Sequence, residues 1–162
     1  MAQLCHADLE GADLELADFS LSSLWGTNLK NAILESATID GADISLATGL
    51  LDPVEWLEQF ETTEKGIIVF RGPSSYTLPR HWVIEPGAVL TENPNPVRTH
   101  SCGCGVAFAT KEWVRNRYQD QDNVTFWKCL IEWRDFPGIV VPYNTDGKAR
   151  CSRLTLLESF KQ

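Results

Sequence analysis

Apolar side chains recur every five residues from Ala2 to Ala47, a spacing that neither a helix nor a strand can use. Leu4, Leu9, Leu14, Phe19, Leu24, Leu29, Leu34, Ile39 and Ile44 form one series. Two places before each stands a small residue: Ala2, Ala7, Ala12, Ala17, Ser22, Thr27, Ala32, Ala37 and Ala42. An amphipathic helix brings apolar residues back after three and four positions, a half-buried strand after two. Nine consecutive blocks obeying both rules are an internal repeat, which takes precedence over any single-element assignment. Small and large side chains in alternation fill a narrow interior, as in small barrels. Asp8, Asp13, Asp18, Asn28 and Asp43, between them, are left to face water. The pattern breaks at Gly49.

Beyond the break, Asp52-Pro53-Val54-Glu55 reads as a helix N-cap, a proline at the first helical position and a capping-box glutamate. The helix is predicted to run to about Thr62, with Val54, Trp56, Leu57 and Phe60 closing the end of the repeat. From Gly66 the pattern shortens to strand lengths at 66–71, 82–85, 88–91 and 106–109, and the prolines of 92–100 mark a loop. Thr110 caps a helix to about Tyr118, and 124–134 alternates so that Trp127, Cys129, Ile131 and Trp133 share a face. Residues 139–143, the Asn144–Gly147 turn and 148–157 complete a hairpin. The chain thus divides into a repeat at 1–51, a capping helix and linker at 52–63, and a small α+β domain at 64–162.

The blocks resemble the pentapeptide-repeat family, whose motif is A(D/N)Lxx, over roughly the first third of the chain. The resemblance implies a right-handed quadrilateral β-helix with four pentapeptides to a square coil, so the protein as a whole is expected to be mainly β. Ser22, Thr27, Ile33 and Thr38 depart from the motif; the first two still suit a tight inner corner. Stacking at period 20 places Glu10 over Lys30, Glu15 over Glu35 and Asp13 beside Ile33. Trp25 then faces outward between Cys5 and Ser45. No capping segment is seen before Ala2, and an open strand edge is normally covered, so self-association through the first coil is expected.

Charge sharpens this picture. The net charge is −8, and residues 1–51 carry eight Asp/Glu against Lys30 alone. Either this is a solvated face that keeps the repeat soluble, or it is a docking surface for a host protein with a basic face. The candidate partner-binding residues are Asp8, Asp13, Glu15, Asp18, Trp25 and Glu35, with Trp25 as a hot-spot anchor. Family members that mimic DNA to occupy topoisomerases are longer. Nine pentapeptides make about 2.25 coils or roughly 11 Å, which imitates only about three base pairs. No run is long enough to span a membrane. Five cysteines at irregular spacing, without a secretion signal, fit reduced thiols in the cytoplasm.

Three other groups are candidates for chemistry. His100, Cys102 and Cys104, with Cys129 or Cys151, have the residue types of a zinc site, although the glycines between them equally serve a tight turn. Arg71, Thr110 and Glu132 are similar in layout to mono-ADP-ribosyltransferase domains, which implies an enzyme as the alternative function. Lys148, Arg150 and Arg153 form a short basic strip, too little for direct nucleic-acid binding to be expected. No cofactor is expected. The segments VFRG (69–72), CGCGVAFAT (102–110), FWKCLIEW (126–133) and VVPYNTDGKARCSRL (140–154) look similar to uncharacterised domains that follow pentapeptide repeats in phage and other viral proteins. That resemblance implies a phage-encoded protein.

Overall fold

The computed structural model describes residues 1–51, 53–74 and 77–161. They form two compact units. One joins Met1–Pro53 to Val97–Cys102 and Pro142–Thr145; the other comprises Val54–Pro96, Gly103–Val141 and Asp146–Gln162. The protein is mainly β.

In the first unit the five-residue period becomes a series of turns. The amide of each block's first residue donates to the carbonyl of the preceding block's third, from Ala7 to Leu4 through Ala47 to Ile44. The fifth residue of every block, His6 through Leu46, is left-handed with φ between +56° and +68°. A four-residue turn with its third residue at positive φ normally calls for glycine. Here glycine occupies only Gly11, Gly26 and Gly41, while Leu16, Leu21 and Leu46 accept the same conformation at about 1–2 kcal/mol each. Parallel bridges join residues twenty apart: Gln3 to Ser23, Asp8 to Asn28, Asp13 to Ile33, Asp18 to Thr38, Ser23 to Asp43 and Asn28 to Thr48. Four blocks therefore complete one coil, and the coils stack.

Leu24, Leu29, Leu34, Ala32 and Ala37 of the second coil are buried, whereas Leu9 and Leu14 of the first are only half-buried. A layer with neighbours on both sides loses its water; one with a neighbour on one side keeps part of it. The two inward hydroxyls that replace alanine are satisfied. Ser22 Oγ donates to the Phe19 carbonyl and Thr27 Oγ1 to that of Leu4, at 2.7 Å for the latter.

The third coil stops half-way. Its strands at Asp43 and Thr48 donate to the Ser22 and Thr27 carbonyls, which leaves the Ala32 and Ala37 carbonyls uncovered by the repeat itself. Two distant segments finish the layer. Asn144 Nδ2 donates to the Ala32 carbonyl, Thr99 Oγ1 donates to that of Ala37 at 2.7 Å, and the Ser36 amide donates to the Thr99 carbonyl. One coil below, Ala12 and Ala17 have the equivalent carbonyls, and Ile33 and Thr38 of the next coil supply their amides. The two segments hold each other through the Tyr143 amide on the Arg98 carbonyl and the Arg98 guanidinium 4.1 Å above the Tyr143 ring. Thr99 is buried, so Thr99→Val keeps the shape and orphans the Ala37 carbonyl. The expected loss is about 1–3 kcal/mol, read as a lower denaturant midpoint; an unchanged midpoint would show that water covers this carbonyl.

The second unit has α1 (Pro53–Leu57), β1 (Glu61–Thr62), β2 (Gly66–Arg71), β3 (Val89–Thr91), β4 (Val106–Ala109), α2 (Lys111–Arg117), β5 (Thr125–Glu132), a 3-10 helix (Trp133–Gly138), β6 (Ile139–Val140), β7 (Lys148–Cys151) and β8 (Arg153–Lys161). The strands pair antiparallel in the order β3-β8-β5-β2-β4-β7-β6, with β1 also on β2. Thr110 caps α2 as its sequence predicts, accepting from the Trp113 amide.

Several of these expectations are corrected. The first helix ends at Leu57, because Glu61 and Thr62 pair with Ile68 and Ile67 instead of continuing it; the predicted N-cap Asp52 lies outside the described residues. Trp56 and Phe60 stack on each other and on Phe108 of β4, within the second unit's core. Residues 82–85 are not a strand; the Trp82 amide closes a turn onto the Pro79 carbonyl and its indole donates to that of Thr91. Opposite Lys128 and Cys129 the partner strand β8 carries one extra residue, Leu157, while β5 keeps an unbroken register with β2. Cys129 and Ile131 are buried on one face as expected, but β5 ends at Glu132, so Trp133 opens the 3-10 helix and is exposed, and Phe126 is buried on the other face with Ala109, Val114 and Val124. The predicted 148–157 strand is likewise broken, by a bend at Ser152 between β7 and β8.

Candidate interaction surface

The aspartates of the repeat have two jobs at once. At the second place of a block, Asp8, Asp13, Asp18 and Asp43 each turn Oδ1 back to accept the amide two residues on, those of Glu10, Glu15, Ser20 and Ser45. Asn28 does the same for Lys30. These are Asx turns, for which Asp and Asn are suited. The carboxylates remain exposed, and hydrogen bonds from Ser20 and Ser45 hold Asp18 and Asp43 below the usual carboxylate range. The acidic groups are thereby fixed in place by the turns that build the coil.

The other candidates are distributed as follows. Glu15 is exposed. Glu35 is half-buried, and its carboxylate accepts from the Ser101 amide at 3.0 Å, so it anchors one of the two closing segments. Nothing local in the sequence signals that role. Glu10 turns to Asn28 Nδ2 at 3.2 Å and makes no ion pair with Lys30 among the described residues. Trp25 is 37% exposed, with its ring edge-on to His6 at 4.5 Å. Between the carboxylates stand exposed apolar side chains: Leu16 at 73%, Leu21 at 61% and Ile33 at 50%. Leu16 and Leu21 occupy two successive corners of the first coil, with Asp13, Glu15 and Asp18 on the sides they flank. Two exposed leucine corners thus alternate with carboxylates, of which Asp13 and Asp18 are held by their turn amides.

The remaining motifs do not assemble. Arg71 pairs with Trp127 and Glu132 with Gly66, placing them at opposite ends of the β2–β5 ladder, about 17 Å apart at strand rise. Thr110 is buried and occupied as a helix cap, and Glu132 is paired to Arg134 at 2.9 Å. The Arg71 guanidinium donates to the Ala107 carbonyl at 2.6 Å and lies 5.1 Å over the Trp82 ring; burial lowers it from its ordinary range. Cys129 and Cys151 are core residues whose thiols burial pushes up to about 12, which makes them poor metal ligands and nucleophiles. Among the described residues no three His, Cys, Asp or Glu side chains are grouped to hold a metal ion. The basic strip dissolves as well: Arg150 is buried with Nε on the Asn95 carbonyl at 2.7 Å, and Arg153 faces Asp135 at 3.6 Å. No helix among the described residues is long and apolar enough to cross a membrane.

Residues 2–48 match the family model for pentapeptide repeats in eight copies, as overlapping stretches at 2–35 and 17–48. No curated protein and no solved structure matches the chain.

Proposed function

We propose that the stacked coils form a right-handed quadrilateral β-helix that serves as a non-enzymatic interaction module, offering its acidic side to a basic, amphipathic surface of a host protein. The observation that carries this reading is the alternation of the exposed corners Leu16 and Leu21 with the carboxylates of Asp13, Glu15 and Asp18. Exposed leucines give a partner area to bury, and the turn-held carboxylates of Asp13 and Asp18, with Glu15, set its charge. Such complementarity governs association rate and selectivity more than raw affinity. The resemblance of residues 64–162 to domains of phage and other viral proteins supplies the setting, a viral protein acting on a protein of its host.

The test replaces Asp13 and Asp18 by Asn and Glu15 by Gln together. Asn keeps the oxygen that accepts the turn amide, as Asn28 already does, so the fold is retained. Capture of a partner from host lysate is expected to fall steeply with added salt for the natural chain, since free charges are screened beyond about 8 Å at physiological ionic strength. The triple variant is expected to lose most of that capture and its salt dependence. Equal capture by both proteins at every salt concentration would refute the acidic docking surface.

A further inference from the structure

A pocket of about 510 Å3 lies wholly within the second unit, lined from β1, β2, α2, β5, β8 and the residues leading into β1. Its volume falls within the range of small-molecule sites. Three phenylalanines give it an apolar body: Phe60 is buried, and Phe70 and Phe160 meet edge to face at 6.1 Å. Three cations border them. Lys111 and Arg115 sit four residues apart on α2, on one face of the helix, and Lys128 projects from β5 opposite Phe70. Lys111 Nζ is 5.7 Å from the Phe70 ring.

The charges are unequally engaged. Lys128 is 3.8 Å from Glu158, so that pair offsets itself. Lys111 and Arg115 are exposed, and among the described residues neither has a carboxylate within ion-pair distance. Glu61, the other acid of the lining, is exposed on β1. Two unpaired cations beside an aromatic floor ask for a ligand with a flat apolar body and an anion at one end. Neither half suffices alone: a bare anion leaves the phenylalanines wet, and a neutral aromatic leaves both cations without an anion.

We infer that this pocket binds a small aromatic phosphate, with the ring against Phe70 and Phe160 and the phosphate on Lys111 and Arg115. Arginine and lysine hydrogen bonds to a phosphate are charge-assisted and strong for their number. The inference does not depend on the acidic repeat surface.

Calorimetric titration of the full chain with 1-naphthyl phosphate tests it. Saturable binding of one molecule per chain is expected, with 1-naphthol and inorganic phosphate each much weaker. The double variant Lys111→Gln/Arg115→Gln is expected to bind 1-naphthyl phosphate more weakly by about tenfold or more while melting like the natural protein, because both side chains are exposed and unpaired. Adenosine monophosphate then shows whether a nucleotide satisfies the same chemistry, and binding that also fails in the double variant places it in this pocket. Absence of saturable binding by 1-naphthyl phosphate, equal binding by the double variant, or 1-naphthol binding as well as its phosphate would each overturn the proposal.

Discussion

Leu29→Asp is expected to abolish cooperative folding of the repeat unit. Leu29 is 2% exposed and sits in the one coil with layers on both sides, above Leu9, its amide donating to the Thr48 carbonyl. The substitution removes a buried leucine, worth about 1.5–3 kcal/mol. It also places a carboxylate where no cation or amide is free to meet it, at a further several kcal/mol. A whole domain holds only about 5–15 kcal/mol, and the stack has few layers over which to share the loss. Leu9→Asp is the internal comparison: Leu9 is half-buried, so its aspartate reaches water and the loss is smaller. Circular dichroism melts of both variants check the ranking. Equal melting of the two, or a natural melting temperature for Leu29→Asp, would mean that the coils do not stack in the order described.

Gly66→Ala is expected to be the most damaging single methyl in the second unit. Gly66 is buried at the start of β2, opposite Glu132. A Cβ there falls far inside contact distance of the Ile131 carbonyl, with the Glu132 Cα beside it. Both obstacles are backbone and cannot swing aside. Gly66 also exchanges hydrogen bonds with Thr63, through its carbonyl to the Thr63 amide and hydroxyl and through its amide to the same hydroxyl. Relief of the clash therefore breaks the first rung of β2–β5 and the turn before it together. Overpacking alone costs about 1–3 kcal/mol, and each lost bond adds about 1 kcal/mol. Gly87→Ala separates crowding from conformation: its methyl meets nothing within 4 Å, but its φ is +86°, a penalty of about 1–2 kcal/mol. Denaturant titration should rank Gly66→Ala well below Gly87→Ala. The reverse order would remove Gly66 from the β2–β5 ladder.

What was legible in the sequence was what is local. The five-residue period located the repeat because each turn is closed by bonds three residues apart, and its apolar positions named the buried leucines of the second coil. β2, β4 and the Thr110-capped helix were equally readable from short runs and a single cap. Partners distant in sequence were not. Phe126 is buried because Val114 of α2, with Ala109 and Val124, packs on its face of β5, and nothing within 124–134 announces that both faces are covered. Glu61 and Thr62 follow a helical pattern and become a strand only because Ile67 and Ile68 offer a pairing edge. Arg150 looked like a surface cation, yet the Asn95 carbonyl accepts its Nε in a buried setting. For the candidate surface, the acidic residues were visible while the dual duty of their side chains was not, and Glu35 disclosed nothing of its hold on Ser101. The phenylalanine pocket draws on several separate elements and leaves no contiguous motif.

The closing of the half-coil sets an order in time. Ribosomes deliver the repeat first, but the groups that satisfy Ala37 and Ala32 arrive with Thr99 and Asn144. At about 5–20 residues per second, the interval between Thr48 and Asn144 lasts on the order of 5 to 20 seconds. Throughout it the nascent stack presents an unfinished upper layer, with those two carbonyls left to water. The earliest part of this chain to be made is thus among the last to be complete.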